Sequence, residues 1–299
     1  MSRIPSADAQ RGFSAATPAV GTAQPAENAT AAPPRGIIRR HANLTRELAI
    51  SQFKVKYTGS VLGYVWSLLK PMLMFGMTWI VFEKLFHTGK GAANFTMQLL
   101  VAMVLFTFFA DCTAQAMNSI AANGNMIRKA YFPRQILVVA ATLTSLMTFA
   151  INLSLIIVVA GLLRQLHFTL DSLVVPLLLV ELYALVFGLA LLLSSLFVMY
   201  RDLGHIWEVG TQLMLYGSLI VYPLIPLVPQ RLHTLILMNP LGQIVEDMRH
   251  ALVSPGPDVP WAASVAGPLY LVPLGIVAAL LVLGVLTFNR LMPRFAEYL

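Results

Sequence analysis

Residues 39–66 read RRHANLTRELAISQFKVKYTGSVLGYVW, a basic stretch of helical period that runs straight into a long apolar one. Ile37, His41, Leu44, Leu48 and Val55 share one helical face, while Arg40, Arg46, Glu47 and Lys54 lie elsewhere. The pattern predicts an amphipathic helix lying in a membrane interface with its cations at the headgroups. The alternative is a solvated basic linker. Gly59 and Gly63 supply two flexible positions just ahead of the apolar run.

Composition extends this reading to the whole chain. Of 299 residues, 58% are hydrophobic and only 11% charged, with a mean hydropathy of +0.74. A bilayer core about 30 Å thick asks for roughly 20 apolar residues per helix, and six stretches meet that length: 64–86, 95–117, 136–163, 173–200, 206–228 and 269–288. Lipid offers backbone amides no partner, and the runs are too long for barrel strands, so helices are expected. The expected fold class is therefore an all-α integral membrane protein with six transmembrane helices. An N-terminal amphipathic interface helix precedes them, and short re-entrant helices come before the last span.

An even number of spans puts both termini on one side. With the termini inside, 15 of the 20 Lys and Arg residues are cytoplasmic, and the outer five are Lys84, Lys90, Arg164, Arg231 and Arg249. The positive-inside rule then places both ends in the cytoplasm, and the net charge of +7 reads as a topology signal rather than a nucleic-acid footprint. Residues 1–36, rich in Ala, Pro, Thr and Gln, read as a disordered cytoplasmic tail ahead of a 37–299 transmembrane domain. No charged n-region precedes an apolar h-region there, so no cleavable signal peptide is expected. A single cysteine, Cys112, excludes an internal disulfide and a Cys-based metal cluster.

Charges within the spans need partners, because insertion scales price them at roughly 2.5–3.5 kcal/mol at a helix centre. Lys70 and Asp111 sit at similar depth in the first two spans and neutralise each other if those helices are neighbours. Glu181, near the middle of the fourth, has no evident basic partner. Arg201, Asp202 and Glu208 border the short link between spans four and five, where opposite charges can hold one geometry for a structural or gating role. After the fifth run, residues 222–268 are punctuated by prolines, and the apolar pieces 232–238 and 241–253 are too short to cross. They suit half-helices dipping into the outer leaflet, the alternative being a surface loop.

The wording of several segments resembles a known family. Residues 53–66 (FKVKYTGSVLGYVW) with Pro71, then Tyr131, Phe132, Pro133 and Arg134 after the second span, Tyr200–Leu203 after the fourth, Asn239, Pro240 and Leu241 with Arg249, and Phe295 to Glu297 appear in order along residues 40–299. The set is similar to the permease subunits of bacterial polysaccharide exporters, type-2 permeases of the ATP-binding cassette class that move O-antigen, teichoic acid, capsule or galactan chains. The resemblance implies a homodimer with two copies of a separate ATPase, which holds ATP and Mg, and no catalytic, cofactor or metal site in this chain. It also implies that a coupling helix near Arg128, Lys129, Tyr131, Phe132, Pro133 and Arg134 meets the ATPase. The cargo is then a lipid-linked glycan carrying a pyrophosphate. Arg40, Arg46, Lys54 and Lys56 are donors suited to it, and they suit anionic lipid headgroups equally.

Phe75, Trp79, Phe82 and Phe86 recur on one face of the first span. They are candidates for a sugar-stacking channel wall, the alternative being ordinary helix packing or an interfacial belt. The resemblance implies that spans one and five of two protomers line the channel, which adds Tyr216 and Tyr222. A nucleotide-binding loop needs Gly-x-x-x-x-Gly-Lys-Ser/Thr, and the nearest text, Thr88 to Gly91, lacks the first glycine and the hydroxyl. Two further readings stand beside the exporter. A drug or small-lipid permease would share its architecture, whereas a membrane-embedded polyprenyl or glycosyl transferase needs a paired acid and base, for which only Glu246 and Asp247 are adjacent.

Overall fold

The structure, a computed structural model, describes residues 34–58, 63–85, 94–129, 133–162, 169–225, 228–253 and 259–298. Contacts divide the chain into Met1–Arg39 and Arg40–Leu299. Of the expected 1–36 tail, residues 1–33 lie outside the described residues.

Among the described residues, the long helices are α1 (Pro34–Tyr57), α2 (Trp66–Trp79), α3 (Phe95–Ala122), then short α4 (Gly124–Lys129), α5 (Gln135–Leu162), α6 (Val175–Met199) and α7 (Leu203–Gly217). They are followed by the shorter α8 (Gln230–Leu237), α9 (Pro240–Leu252) and α10 (Ala262–Ala266), then long α11 (Leu271–Leu291) and terminal α12 (Phe295–Tyr298). Among the described residues, four helical stretches are long and apolar enough to cross a bilayer: Phe95–Ala122, Gln135–Val158, Leu170–Met199 and Ala262–Arg294. They match four of the six expected spans.

The remaining two runs form shorter helices. α2 has 14 residues and passes into a six-residue π-helical turn, Ile80–Leu85. Within α2, Pro71 has no amide to offer the Ser67 carbonyl one turn earlier. The run 206–228 is the larger departure from expectation. α7 ends at Gly217, Leu219 adopts a left-handed φ of 58°, and Ser218 to Val221 continue as buried, non-helical chain. Hydropathy reads such a segment as a span because a protein interior is as apolar as lipid.

α3 is the axis of the bundle. It packs against α2, α5, α6, α7 and α9, and nearly every residue from Phe95 to Phe109 is buried. The main hydrophobic cluster gathers Leu99, Met103 and Phe106 of α3 with Leu182 and Leu185 of α6 and Ile244 and Met248 of α9. α6 lies between α3 and α11. The buried residues of α11, Pro273, Val277, Gly284 and Phe288, form one narrow stripe, and its other faces carry exposed Leu, Ile and Val, as a lipid-facing helix would.

Two glycines permit the α6–α11 approach. A Cβ on Gly284 would stand 2.4 Å from the Gly188 carbonyl oxygen, and one on Gly188 would stand 2.8 Å from the Leu281 backbone nitrogen. Small residues at a crossing let apolar helices touch through their backbones, where van der Waals packing replaces the hydrophobic effect. At the end of the bundle that carries α4, a second cluster joins Ile120, Val138, Phe288 and Phe295, with Leu48 of α1 packed against it. α1 is docked there through fully buried Ala49, whose carbonyl accepts the Thr144 hydroxyl at 3.1 Å. Leu44 and Val55, expected on its apolar face, are exposed.

Replacing Gly284 with Val should force α6 and α11 apart and cost about 1–3 kcal/mol or more, seen as a lower thermal unfolding midpoint in detergent. Gly275→Ala on the same helix, with no atom within 4 Å of the new Cβ, should leave the stability within about 0.5 kcal/mol of the parent.

Candidate functional site

Irregular backbone inside an apolar bundle is tolerated only where protein satisfies its polar groups, and the segment after Gly217 meets this condition through Arg249 of α9 and Asn239, the residue that caps it. Arg249, with 0% of its surface exposed, donates from Nη2 to the Ile220 carbonyl at 3.2 Å and from Nη1 to the Tyr222 carbonyl at 3.3 Å. Its Nε donates to the Gln98 carbonyl of α3 at 3.2 Å. Glu246, one turn earlier and 2% exposed, balances its charge at 3.3 Å. Asn239 holds the other end: its side-chain oxygen caps α9 through the Leu241 amide at 3.1 Å, while its Nδ2 donates to Ser218 Oγ at 2.9 Å and to the Gly217 carbonyl at 3.4 Å. α9 therefore works as a clamp on the broken end of α7.

Beside the clamp, Asp247 accepts the first amide of α10 at 2.7 Å and the Gln243 amide at 2.8 Å. Gln243 also reaches Tyr270 Oη at 3.3 Å. The acidic neighbours Glu246 and Asp247 thus each hold a separate structural contact. Among the described residues, no three His, Cys, Asp or Glu side chains converge on a metal-sized site.

Toward the opposite end, α2 and α3 are neighbours, and Lys70 Nζ lies 3.2 Å from Asp111 Oδ1. The two stand in a cleft of about 810 Å³ whose lining includes Lys56, Trp66, Lys70, Leu73, Asp111 and Gln115. A second cavity of about 420 Å³ shares Met74 and Asp111 with it and extends to Trp207 and Glu208 of α7. A third, of about 380 Å³, shares Lys56 and Gln115 and extends to Asn118. The three run along one face of α3, where Asp111, Gln115 and Asn118 recur at helical spacing. Trp207 is fixed to this face by its indole N–H, which donates to Thr113 Oγ1 at 3.0 Å.

The other residues singled out in the sequence are distributed as follows. Arg40, Arg46, Lys54 and Lys56 are all exposed on α1. Phe75, Trp79 and Phe82 are half-buried and pack on the main cluster around α3; the Trp79 indole donates to Thr96 Oγ1 at 3.0 Å, and Lys84 lies 5.2 Å from its ring. The exposed face of α2 and the start of the turn after it is instead aliphatic, with Leu73, Met77 and Ile80. Tyr216 is exposed on α7, and its carbonyl accepts the Tyr222 hydroxyl at 2.6 Å. Arg201 leans over the Phe197 ring at 5.3 Å. Asp202 stands at the start of α7 without capping it through its side chain.

Arg128 and Lys129 close α4, and Phe86, Tyr131 and Phe132 lie outside the described residues. Pro133 is exposed. Arg134 is turned inward, where its guanidinium donates to the Met292 carbonyl and lies 6.0 Å from the Phe295 ring. Sequence reasoning missed the clamp. Its signal was a Glu and an Arg one helical turn apart in an apolar piece too short to span, charges that demand partners at depth.

Apolar helices of bilayer length around a lined cleft define a multi-pass membrane protein. The ABC-2 type transporter family matches residues 43–253, most of the chain, and the chain belongs to that family. It is 27% identical over 249 residues, 82% of this chain and 91% of the relative, to the O-antigen export system permease protein RfbA of Klebsiella pneumoniae. It is 26% identical over 212 residues, 69% of this chain and 78% of the relative, to the protein of the same name from Myxococcus xanthus.

Arg249→Met should cost about 3–5 kcal/mol, the range for removing one partner of a buried ion pair, measured as thermal stability of the purified protein. Adding Glu246→Leu should recover part of that loss by removing the stranded carboxylate. Arg249→Lys, with one ammonium in place of a three-way fork, should fall between.

Proposed function

We propose that this chain is the membrane subunit of an exporter that moves a lipid-linked polysaccharide across the cytoplasmic membrane, driven by ATP hydrolysis on a separate subunit. The observation that carries the reading is similarity, over 82% of the chain, to a protein named for O-antigen export. In this reading α2 with its π-helical turn and α7 with the clamped segment after it complete six spans. Residues 37–299 form the transmembrane domain, and α8 and α9 are re-entrant on the outer side. Both termini, including a 1–36 tail, are cytoplasmic, which the distribution of cations supports.

Two copies of the chain and two ATPase subunits complete the transporter. The aliphatic face of α2 and the exposed face of α7, with Ile206, Val209, Leu213 and Tyr216, support pairing with a second copy around a shared conduit. Among the described candidates for the channel wall, Tyr216 is the one best exposed to a passing sugar chain. Phe75 and Trp79, packed on α3, would position the wall rather than form it.

ATP-driven closure of the ATPase pair would press on the loop around Arg128 to Arg134. Arg134, tied to Met292 and Phe295, offers a mechanical route from that loop into α11, and the Gly284 contact carries it on to α6. The chain's part is conduction and coupling, with no chemistry of its own; ATP and Mg are held by the partner.

The test is ATP turnover of the chain co-purified with its ATPase, with and without defined lipid-linked glycans. Turnover should rise with the matching glycan, and indifference to every glycan tried would refute the cargo. In the same preparation, Phe132→Ala with Tyr131→Ala should reduce export to background while basal ATP hydrolysis persists.

A further inference from the structure

We propose that His250, in the last turn of α9, is a pH-sensitive latch: protonated, its ring tightens the joint between α9 and the 3-10 turn Leu170–Val174 that leads into α6, and deprotonated, it lets that joint loosen. The latch stands on contacts within the chain. The exporter reading supplies only the side of the membrane it faces, the outer one.

The ring meets three pieces of chain. Its Nδ1 lies within hydrogen-bond distance of the Val259 carbonyl, its Nε2 lies 4.0 Å from Asp171 Oδ2, and it rests against the Trp261 ring with centroids 4.4 Å apart. A carbonyl can only accept, so Nδ1 carries a hydrogen. In the neutral ring Nε2 is then a bare acceptor turned toward a carboxylate, itself an acceptor, and that contact holds nothing. The imidazolium has an N–H on both nitrogens and donates to both partners at once. Only the charged ring completes the geometry.

Its surroundings favour the same form. Asp171 on the turn and Asp247 on α9 lie within electrostatic reach of the ring, and the face of Trp261 attracts a cation. Glu246 and Arg249, also on α9, neutralise each other. The further titratable groups on elements packed against this end of α9 are Glu181 of α6, Arg231 and His233 of α8 and Tyr270 ahead of α11, and the variants below separate the ring from them. The His250 side chain is 9% exposed and that of Asp171 44%, so the carboxylate has room to close the remaining gap.

One tie at this joint is independent of pH: Ser172 Oγ donates to the Ala251 carbonyl at 2.9 Å. The His250–Asp171 contact adds a second, present at acid pH and lost as the pH rises and the ring gives up its proton. Arg249, the preceding residue, clamps the segment after α7. A tighter joint therefore holds the end of α9 that carries the clamp, and the pH on that side reaches the broken end of α7 through one side chain.

The test is hydrogen–deuterium exchange of the full chain, co-purified with its ATPase in nanodiscs, at about pH 6 and about pH 8, either side of the range in which histidine changes charge. Rates are corrected for the chemical dependence of exchange on pH. Amides of residues 170–174 and 250–253 should be about tenfold better protected at the lower pH, the value of one charge-assisted contact, while those of residues 99–109 in α3 stay unchanged. His250→Gln and Asp171→Asn should each abolish the difference, and Asp171→Glu should keep it.

A ring that serves only as packing would give equal protection at both pH values. That result, or a pH difference that survives Asp171→Asn, overturns the proposal. If His250→Gln fails to fold, the Asp171 variants decide alone. The measurement uses no glycan, so its failure leaves the exporter standing, and a lack of glycan-stimulated ATP turnover leaves the latch.

Discussion

A backbone polar group left without a partner inside an apolar bundle costs several kcal/mol, and this cost organises the half of the structure around α7. The chain abandons helix after Gly217, where Leu219 takes a left-handed conformation, and must recover at least two carbonyls before α8 begins. Arg249 does so from a helix that follows in sequence, and it can remain charged there because Glu246 accompanies it. Remove the guanidinium and the Ile220 and Tyr222 carbonyls lose their donor, Glu246 loses its counter-ion, and α9 loses its hydrogen bond to Gln98 of α3. The position of α9 on the bundle and the shape of the broken span are therefore one problem with one solution.

The opposite end of the bundle is tied together by contacts of a different kind. Arg134 grips the turn after α11, Phe288 meets Phe295 edge-on at 5.5 Å, and Ala49 anchors α1 on α5. From there α11 runs back along α6 at glycine distance, so its two ends are held by unlike means. A displacement applied near α4 meets little slack on the way, because glycine-to-backbone contact leaves no side chain to absorb it.

Much of this was legible in the sequence, for reasons that also explain what was not. Lipid imposes a one-dimensional signal, and the runs beginning at 95, 136, 173 and 269 became helices within a few residues of their expected ends. The same signal overran at 206–228, since Ile220 and Val221 are apolar because protein, not lipid, surrounds them. Lys70 and Asp111 could be paired from depth alone. Arg249 could not be placed, because a tally of charges carries no burial, and it was counted among the outer cations. The spacing of Phe75, Trp79 and Phe82 identified one face of α2 without saying toward which neighbour it turns; the cluster around α3 takes it.

The burial of α3 bears on how the protein is made. This helix leaves the ribosome before α5, α6 and α9, the helices that will cover it, so on insertion its only finished neighbour is α2. Asp111 enters the membrane at that stage at a cost of roughly 2.5–3.5 kcal/mol if it stands alone. Lys70, 41 residues earlier, is already there to receive it. The pair that sits half-open in the finished cleft is thus also, after the Trp79–Thr96 hydrogen bond, among the first tertiary contacts available to the growing chain, and it helps to fix the rotation of α3 before the rest of the bundle arrives to close around it.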